Sequence, residues 1–466
     1  RCPQCGLCRW AKRWHEEWET DGNLRIVAAL GSLQAAKLRT AGVMTIEHLA
    51  QLSDGVTIPK IHAPALDRLR SQARLQMVKR TTDENVVEVL PILERRGLFR
   101  LPEPAEGDLF FDMEGDPVYS PQGSLEYLFG FHHLEDGKDT YTAFWARDKA
   151  GERKAFEDAL DFITMRLAKY PQAYVYHYAA YEQTALKRLA SEYGGSSRHQ
   201  DAIKELAQSY GTRENEVDDL LRDRKFVDLY KVVREAIQTS EPAYSLKNLE
   251  VFFAPKRTEE IKSGGDSIVA FEKWIKSGDD ELLHQIEVYN EFDCLSTRLC
   301  RDWLVSLRPG GVTWFDPKAE RAAEELERDK KSEEKRRVDD ARILALRADL
   351  LRNVDASERE WRELLGYLLE FHRREARAEW QEYFKRTDSA ADLINDADCI
   401  GEMTLDPSHT PVPVKQSKIW RLRFPAQESK ITVDSNVCRS DNGKSVEIVA
   451  LSTDERWVDV KMGNKQ

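Results

Sequence analysis

Asp112 and Glu114 stand on alternate residues in Phe110-Phe111-Asp112-Met113-Glu114-Gly115-Asp116, just behind an apolar run. In a β-strand, residues i and i+2 point to the same face, so the two carboxylates are predicted to project side by side. Two ionised carboxylates ~4 Å apart repel by about 4 kcal/mol at an effective dielectric near 20. A proton, a basic partner or a divalent cation must offset that, and oxygen-only ligands suit Mg²⁺ or Mn²⁺. A second segment, Tyr289-Asn290-Glu291-Phe292-Asp293, brings a third acid. Tyr289 precedes Asp293 by four residues, one helical turn on the same face. The set fits two-metal cleavage of a phosphodiester, in which clustered carboxylates hold ions ~3.5 to 4 Å apart. Asp112 is the natural bridging ligand, Glu114 its same-face partner, and the Tyr289 hydroxyl a group to orient the attacking water.

A fourth carboxylate is expected from Tyr176-His177-Tyr178-Ala179-Ala180-Tyr181-Glu182, at a strand-to-helix junction, where loops deliver functional groups. Glu182 is the candidate, with Asp228 at the end of another short strand as the alternative. His177 reads as a packed strand residue, and Asp116, before Pro117, as a turn acid. DxE and YxxxD are each common alone; their specificity lies in their order and in the elements that carry them.

Those elements read as α/β over residues 99–306. Strands are predicted at Asp108–Met113, Leu125–His133 and Thr140–Ala146, with Gly137 in a turn. A helix follows near Glu152–Ala168, then a buried strand Ala173–His177 and a helix Tyr181–Tyr193. A short strand Phe226–Asp228 precedes a helix from about Asp279 to Leu307. Three antiparallel strands followed by alternating helices and strands is the ribonuclease H-like order. Residues 1–98 read as helical, with Leu24, Val27, Leu30, Leu38, Val43, Ile46, Leu49 and Leu52 at helical spacing. Two short helices around a Gly-Val turn resemble a helix-hairpin-helix, a unit that can hold a phosphate backbone. Residues 307–400 read as a charged helical stalk. Glu320–Arg342 is expected to be a solvated helix, and Trp361, Leu364, Leu365, Leu368 and Phe371 an apolar face that packs on something. Residues 401–466 read as a small antiparallel β-barrel, from the alternation at Trp420, Leu422, Phe424 and at Val458, Val460, Met462, with a turn at Asp441-Asn442-Gly443.

The bulk numbers narrow the class. The chain has 466 residues, 41% hydrophobic and 33% charged, with a net charge of -12. That argues against a generally basic nucleic-acid coat protein, while a nuclease needs only a local basic track around an acidic metal site. No apolar stretch approaches the ~18 to 20 residues of a membrane span. The chain begins with Arg1-Cys2 rather than Met, so it is expected to be a piece of a longer protein. Seven cysteines, three of them clustered, point to a reducing, cytoplasmic compartment.

The ordered set Asp112, Glu114, Glu182, Tyr289 and Asp293 resembles the DEDD-type 3′→5′ exonucleases of the ribonuclease H-like superfamily, in the YprB-like branch, over about residues 105–305. Phe111-Asp112-Met113-Glu114 matches the family's first motif and Tyr289 to Asp293 its third, in the tyrosine form. The middle motif departs: the usual Asp is Glu182 here, and one extra methylene moves the carboxylate by about 1.5 Å. The resemblance implies exonucleolytic cleavage of a single strand, DNA favoured over RNA, with two Mg²⁺ or Mn²⁺ ions held by Asp112, Glu114, Glu182 and Asp293. Cys5-Gly6-Leu7-Cys8-Arg9-Trp10 and Arg423-Phe424-Pro425-Ala426-Gln427-Glu428 extend the likeness to the RecB-like nuclease family. Its members join an upstream PD-(D/E)XK-type nuclease, a YprB-like domain and a superfamily-1 helicase, and work in bacterial DNA processing or repair. No GxxxxGK[ST] phosphate loop occurs in this chain.

Cys2, Cys5 and Cys8 share two CxxC steps, a spacing that suits Zn²⁺ or an iron–sulfur cluster. The resemblance implies the cluster, with a further ligand about where Trp14 stands. The fourth ligand must then come from upstream or from His15, and a metal-free remnant is the competing reading. Tyr176, Tyr178 and Tyr181 are dense enough to offer single-stranded bases a stacking platform; tyrosines are also ordinary strand residues. Arg222, Arg224 and Lys225 read as a solvated turn. A non-catalytic ribonuclease H-like scaffold that only binds nucleic acid is the alternative to the nuclease.

Overall fold

The computed structural model describes residues 10–316 except 60, 94–95, 121–122, 194–212, 258–260 and 262. It further describes 341–369 except 353, Leu393, and 399–463 except 415–416, 428 and 441–444. The chain divides into two units, Leu75–Asp340 and Arg1–Arg74 with Ala341–Gln466. No helix among the described residues is long and apolar enough to cross a membrane.

The N-terminal helices are α1 (Ala11–Thr20), α2 (Ser32–Thr40), α3 (Ile46–Ala50) and α4 (Ala63–Thr82). Leu24, Leu38, Val43, Ile46 and Leu49 are buried, as their spacing requires. Helices α2 and α3 flank Gly42, whose φ of 85° only glycine adopts readily. Thr45 starts α3 by accepting from the His48 amide.

In the Leu75–Asp340 unit, β1 (Val87–Val89) pairs with β7 (Ile237–Thr239) apart from the main sheet. That sheet holds β2 (Leu109–Ser120), β3 (Gly123–Glu135), β4 (Lys138–Trp145), β5 (Val175–His177) and β6 (Phe226–Asp228), in the order β4-β3-β2-β5-β6. The first three pair antiparallel, and β5 and β6 run parallel to β2. Between these strands lie α5 (Lys149–Lys169), α6 (Tyr181–Tyr193) and α7 (Arg213–Arg222), and after β6 come α8 (Leu229–Ala236), α9 (Leu246–Leu249), α10 (Gly264–Ser277) and α11 (Asp280–Ser306). The strands of the site run longer than predicted, and α6 and β6 end where predicted.

The sheet is covered on both faces, and alternation along β2 decides what each face meets. Phe111 stacks on Phe131 at 4.6 Å, and Phe131 meets Phe162 of α5. The residues of opposite parity, Asp112 and its cross-strand partner Gly130, lie toward α11. Helix α11 has 27 residues and begins with Asp279 capping the Glu281 amide. It buries Leu283, Ile286, Tyr289, Asn290, Asp293, Cys294, Thr297, Cys300, Arg301 and Leu304, a stripe at three- and four-residue steps.

The second unit ends in an antiparallel sheet of β8 (Thr404–Leu405), β9 (Val412–Val414), β10 (Ser417–Arg423), β11 (Val437–Cys438), β12 (Ser445–Ser452) and β13 (Trp457–Gly463). Its order is β11-β12-β13-β10-β8, with β9 also on β10. Ile400, Phe424, Ile448, Val458 and Val460 form its core. The predicted barrel is thus an open sheet among the described residues: its end strands, β8 and β11, have two residues each, too few hydrogen bonds to close a ring. The predicted turn at Asp441-Asn442-Gly443 and most of the Glu320–Arg342 helix lie outside the described residues, as does Phe371. The apolar face expected to pack is exposed instead, with Trp361 at 48% and Leu364 at 59%. Helical residues 341–350 meet the helix Ala356–Leu368 through polar contacts, Arg347 to the Gly366 carbonyl and Arg362 to that of Leu350, which leaves those side chains uncovered.

Candidate metal centre

Three carboxylates converge where β2 passes under α11. One ligand oxygen from each of Asp112, Glu114 and Asp293 lies within 4.8 Å of the others. Glu114 and Asp293 are buried and Asp112 is half-buried. The same-face prediction for Asp112 and Glu114 therefore holds, with Asp293 delivered from a helix 179 to 181 residues on.

Neighbouring side chains fix the orientation of these acids. Asn290 donates its amide to Asp112 Oδ2 at 2.8 Å and accepts the Tyr141 hydroxyl at Oδ1, also at 2.8 Å. Gly130 makes the room: a Cβ there would lie 1.7 Å from Asn290 Oδ1. Arg257 joins Asp293 to Glu250 through one guanidinium nitrogen, and Ser296 donates to Glu250 at 2.8 Å. Lys247 donates to the Tyr289 hydroxyl.

Burial and crowding raise the proton affinity of the whole centre. Burial, then the charges of Asp293, Glu114 and Glu182, push the Asp112 carboxyl well above the usual carboxylate range. Burial, then Asp293, lifts Glu114 to about 8. Asp293 is raised by burial despite Arg257 and Lys247. Tyr289 is pushed far up by burial and by Asp293, Glu114 and Asp112, so it stays a protonated donor. Buried carboxylates held this close need positive charge, and the oxygen-only set fits a hard divalent cation such as Mg²⁺ or Mn²⁺.

Residues 109–305 match the family model of the RNase H superfamily. No curated protein and no solved structure matches the chain. Enzymes of the RNase H superfamily usually hydrolyse phosphodiesters, commonly with divalent metals, and the acidic triad lies inside the matched span. An RNase H-like domain over this span suggests nuclease-type activity in general, and the acidic cluster is a candidate metal site within it.

Glu182, the expected fourth acid, is not in the triad. It is buried beside His177, with Oε2 3.3 Å from Nδ1 but out of line for a hydrogen bond. Burial raises Glu182 against the pull of His177. Burial opposes the charged His177 ring, yet Glu182 outweighs it and raises the imidazole. His177 Nε2 contacts the Gln183 amide at 2.8 Å. Asp228 caps α8, accepting from the Tyr230 and Ala179 amides at 2.9 Å each. Asp116, expected as a turn acid, lies inside β2 instead, buried and paired with Leu125, and accepts from the Val118 amide.

The three tyrosines part company. Tyr176 is fully buried and stacked on Phe110, so it offers no platform. Tyr178 sets its ring edge-on to Tyr230 and donates to the Tyr244 carbonyl. Tyr181 keeps an exposed ring. Lys225 donates to the Pro171 and Ala173 carbonyls. Cys2, Cys5 and Cys8 lie outside the described residues; His15, on α1, lies 3.8 Å from Glu19. Sequence reasoning missed Asn290, although it stands inside the Tyr289–Asp293 segment. It also missed Lys247 and Arg257, which carry no motif.

Proposed function

We propose that the RNase H-like domain is a divalent-metal-dependent nuclease acting on single-stranded DNA or RNA from a 3′ end. The observation that carries this reading is the convergence of Asp112, Glu114 and Asp293 within 4.8 Å, at the positions the DEDD resemblance marks. Mg²⁺ or Mn²⁺ held by these three would supply water activation and charge stabilisation at the leaving oxygen. Tyr289 orients a water by donating its proton. Asn290 and Arg257 hold Asp112 and Asp293 in place, and Lys247 sits where positive charge meets phosphate. Glu182 is proposed as the ligand of a second ion. The 3′ polarity, the preference for DNA, and a setting within a bacterial helicase–nuclease follow from the family likeness.

An assay on end-labelled single strands with Mg²⁺ or Mn²⁺ tests the reading. Wild-type protein should shorten them, and an Asp112→Ala, Asp293→Ala double variant should not; equal cleavage by both would overturn the assignment. A non-catalytic scaffold is the second reading, favoured by Glu182 facing His177 rather than the triad. A scaffold takes up no Mn²⁺ through these carboxylates, which calorimetry on the same pair of proteins reads directly.

A further inference from the structure

Tyr181, the first residue of α6, exposes 47% of its surface although its phenol end is fastened. The hydroxyl donates to Glu126 Oε2 at 2.7 Å, and Arg188 donates to Glu126 Oε1 at 2.6 Å. Glu126 itself is buried. It pairs across the β2–β3 ladder with Gly115, the residue after Glu114. A Cβ on Gly115 would lie 2.0 Å from Glu126 Oε2 and 2.7 Å from the Tyr181 hydroxyl. The missing side chain therefore lets the tyrosine close down on the strand that carries the acidic centre. The charge of Glu114 is felt at that hydroxyl.

An aromatic ring whose far end is bonded into a buried network has little freedom left to lose when something lies on its face. Nucleobases are what stack on such rings beside a phosphate-cleaving centre, at about 1–3 kcal/mol per base by alanine substitution and with little sequence preference. Of the three tyrosines between Tyr176 and Tyr181, this is the one with an exposed ring and the one braced against the residue next to Glu114.

We propose that Tyr181 is the stacking platform for one nucleobase of the strand whose phosphate is presented to Asp112, Glu114 and Asp293. The place of the phosphate rests on the nuclease reading; the stacking does not. Glu126 and Arg188 are positioning residues for the ring, and Gly115 keeps the approach open.

The test is a binding series on the full chain, read by fluorescence anisotropy with Ca²⁺ replacing Mg²⁺ and Mn²⁺. The probes are single-stranded oligonucleotides carrying one abasic site walked from the 3′ end. For wild-type protein, one position should lose about tenfold in affinity when its base is removed, within the range of one base–aromatic stack. In Tyr181→Leu that penalty should vanish while the other positions keep theirs; in Tyr181→Phe, which keeps the ring, it should remain. Identical abasic profiles for Tyr181→Leu and wild type would overturn the proposal. So would loss of the penalty in Tyr181→Phe, or failure of the wild-type protein to bind any probe. Mn²⁺ calorimetry on the same samples reads the metal centre separately. Absent carboxylate-dependent uptake would sink the nuclease reading and leave the stacking result as the property of a binding module.

Discussion

Lys247 donates a hydrogen bond to the Tyr289 hydroxyl, and its ammonium lies 4.5 Å from the centre of the same ring. A lysine has no acceptor, so the phenol oxygen must accept, and its own proton is left for another partner. Asp293, one turn along α11, draws on that proton electrostatically, and the attacking water of the proposed reaction can accept it. Lys247 thus sets the direction in which Tyr289 donates, and its charge also lowers the proton affinity of Asp112, Glu114 and Asp293.

Lys247→Met should slow cleavage by roughly a hundredfold, the scale of one lost electrostatic contact in an active site. If the lysine acts through Tyr289, the same change made in a Tyr289→Phe background should cost much less, because coupled groups are not additive. Single-turnover rates of the four proteins close the cycle. Fully additive losses would show that Lys247 works independently of the tyrosine.

Gly130→Ala tests the slot that Asn290 occupies. The new methyl would lie 1.7 Å from Asn290 Oδ1 and 2.8 Å from the Tyr141 hydroxyl, so Asn290 must leave its place above Asp112. Overpacking a buried site costs about 1–3 kcal/mol, to be read by denaturant unfolding. Mn²⁺ affinity should fall as well. Loss of stability with unchanged Mn²⁺ affinity would mean that Asn290 packs the helix without orienting the ligand.

Arg257→Gln removes a cation shared by Glu250 and Asp293. All three side chains are at least four-fifths buried, and breaking a buried pair by deleting one partner costs roughly 3–5 kcal/mol. A divalent ion at Asp293 supplies part of the lost charge. The gap in Tm between variant and wild type should therefore narrow when Mn²⁺ is added, and a gap that Mn²⁺ leaves untouched would place Arg257 outside the electrostatics of the centre.

How much of this was legible in the sequence follows from the range of each interaction. The strand under Asp112 and the helix under Asp293 were readable because alternation and helical spacing are local. Asn290, Lys247 and Arg257 were not, since they meet their partners 178, 42 and 36 residues away. Glu182 lies outside the triad for a local reason. The backbone before it turns through Ala179 at a φ of 72°, which nothing in Tyr178-Ala179-Ala180-Tyr181 announces, and the carboxylate comes to rest beside His177. In the C-terminal sheet, alternation identified strands but says nothing about closure, which depends on how long the two end strands are.

Stability should depend on pH through the same carboxylates. Burial first, and Asp293 second, raise Glu114 from 4.5 to about 8. Its folded value exceeds its unfolded one, so its contribution is complete below about pH 4.5 and is lost as the pH rises through about 8. Asp112 and Asp293 shift in the same direction. Metal-free protein should therefore melt at progressively lower temperature across this window, and Mn²⁺ should reverse the trend. Mn²⁺ uptake should release protons there and tighten as the pH rises, which calorimetry in buffers of different ionisation heat measures. A Tm that is flat across the window without metal would rule this account out.

Glu182 decides between an enzyme and a scaffold. Because it lies outside the triad, Glu182→Gln should leave the first Mn²⁺ binding event within about twofold of wild type; a neutral amide of the same shape also keeps the packing against His177. If Glu182 swings toward Asp112 to hold a second ion, the variant should lose about a hundredfold in cleavage at low Mn²⁺, the size of effect expected from a missing electrostatic group, and regain part of it at high Mn²⁺. The charge of Glu182 already raises the Asp112 carboxyl, so the two acids are close enough to influence one another in the metal-free state. Cleavage by Glu182→Gln equal to wild type at every Mn²⁺ concentration would assign the residue to the fold alone, as the partner of a buried histidine.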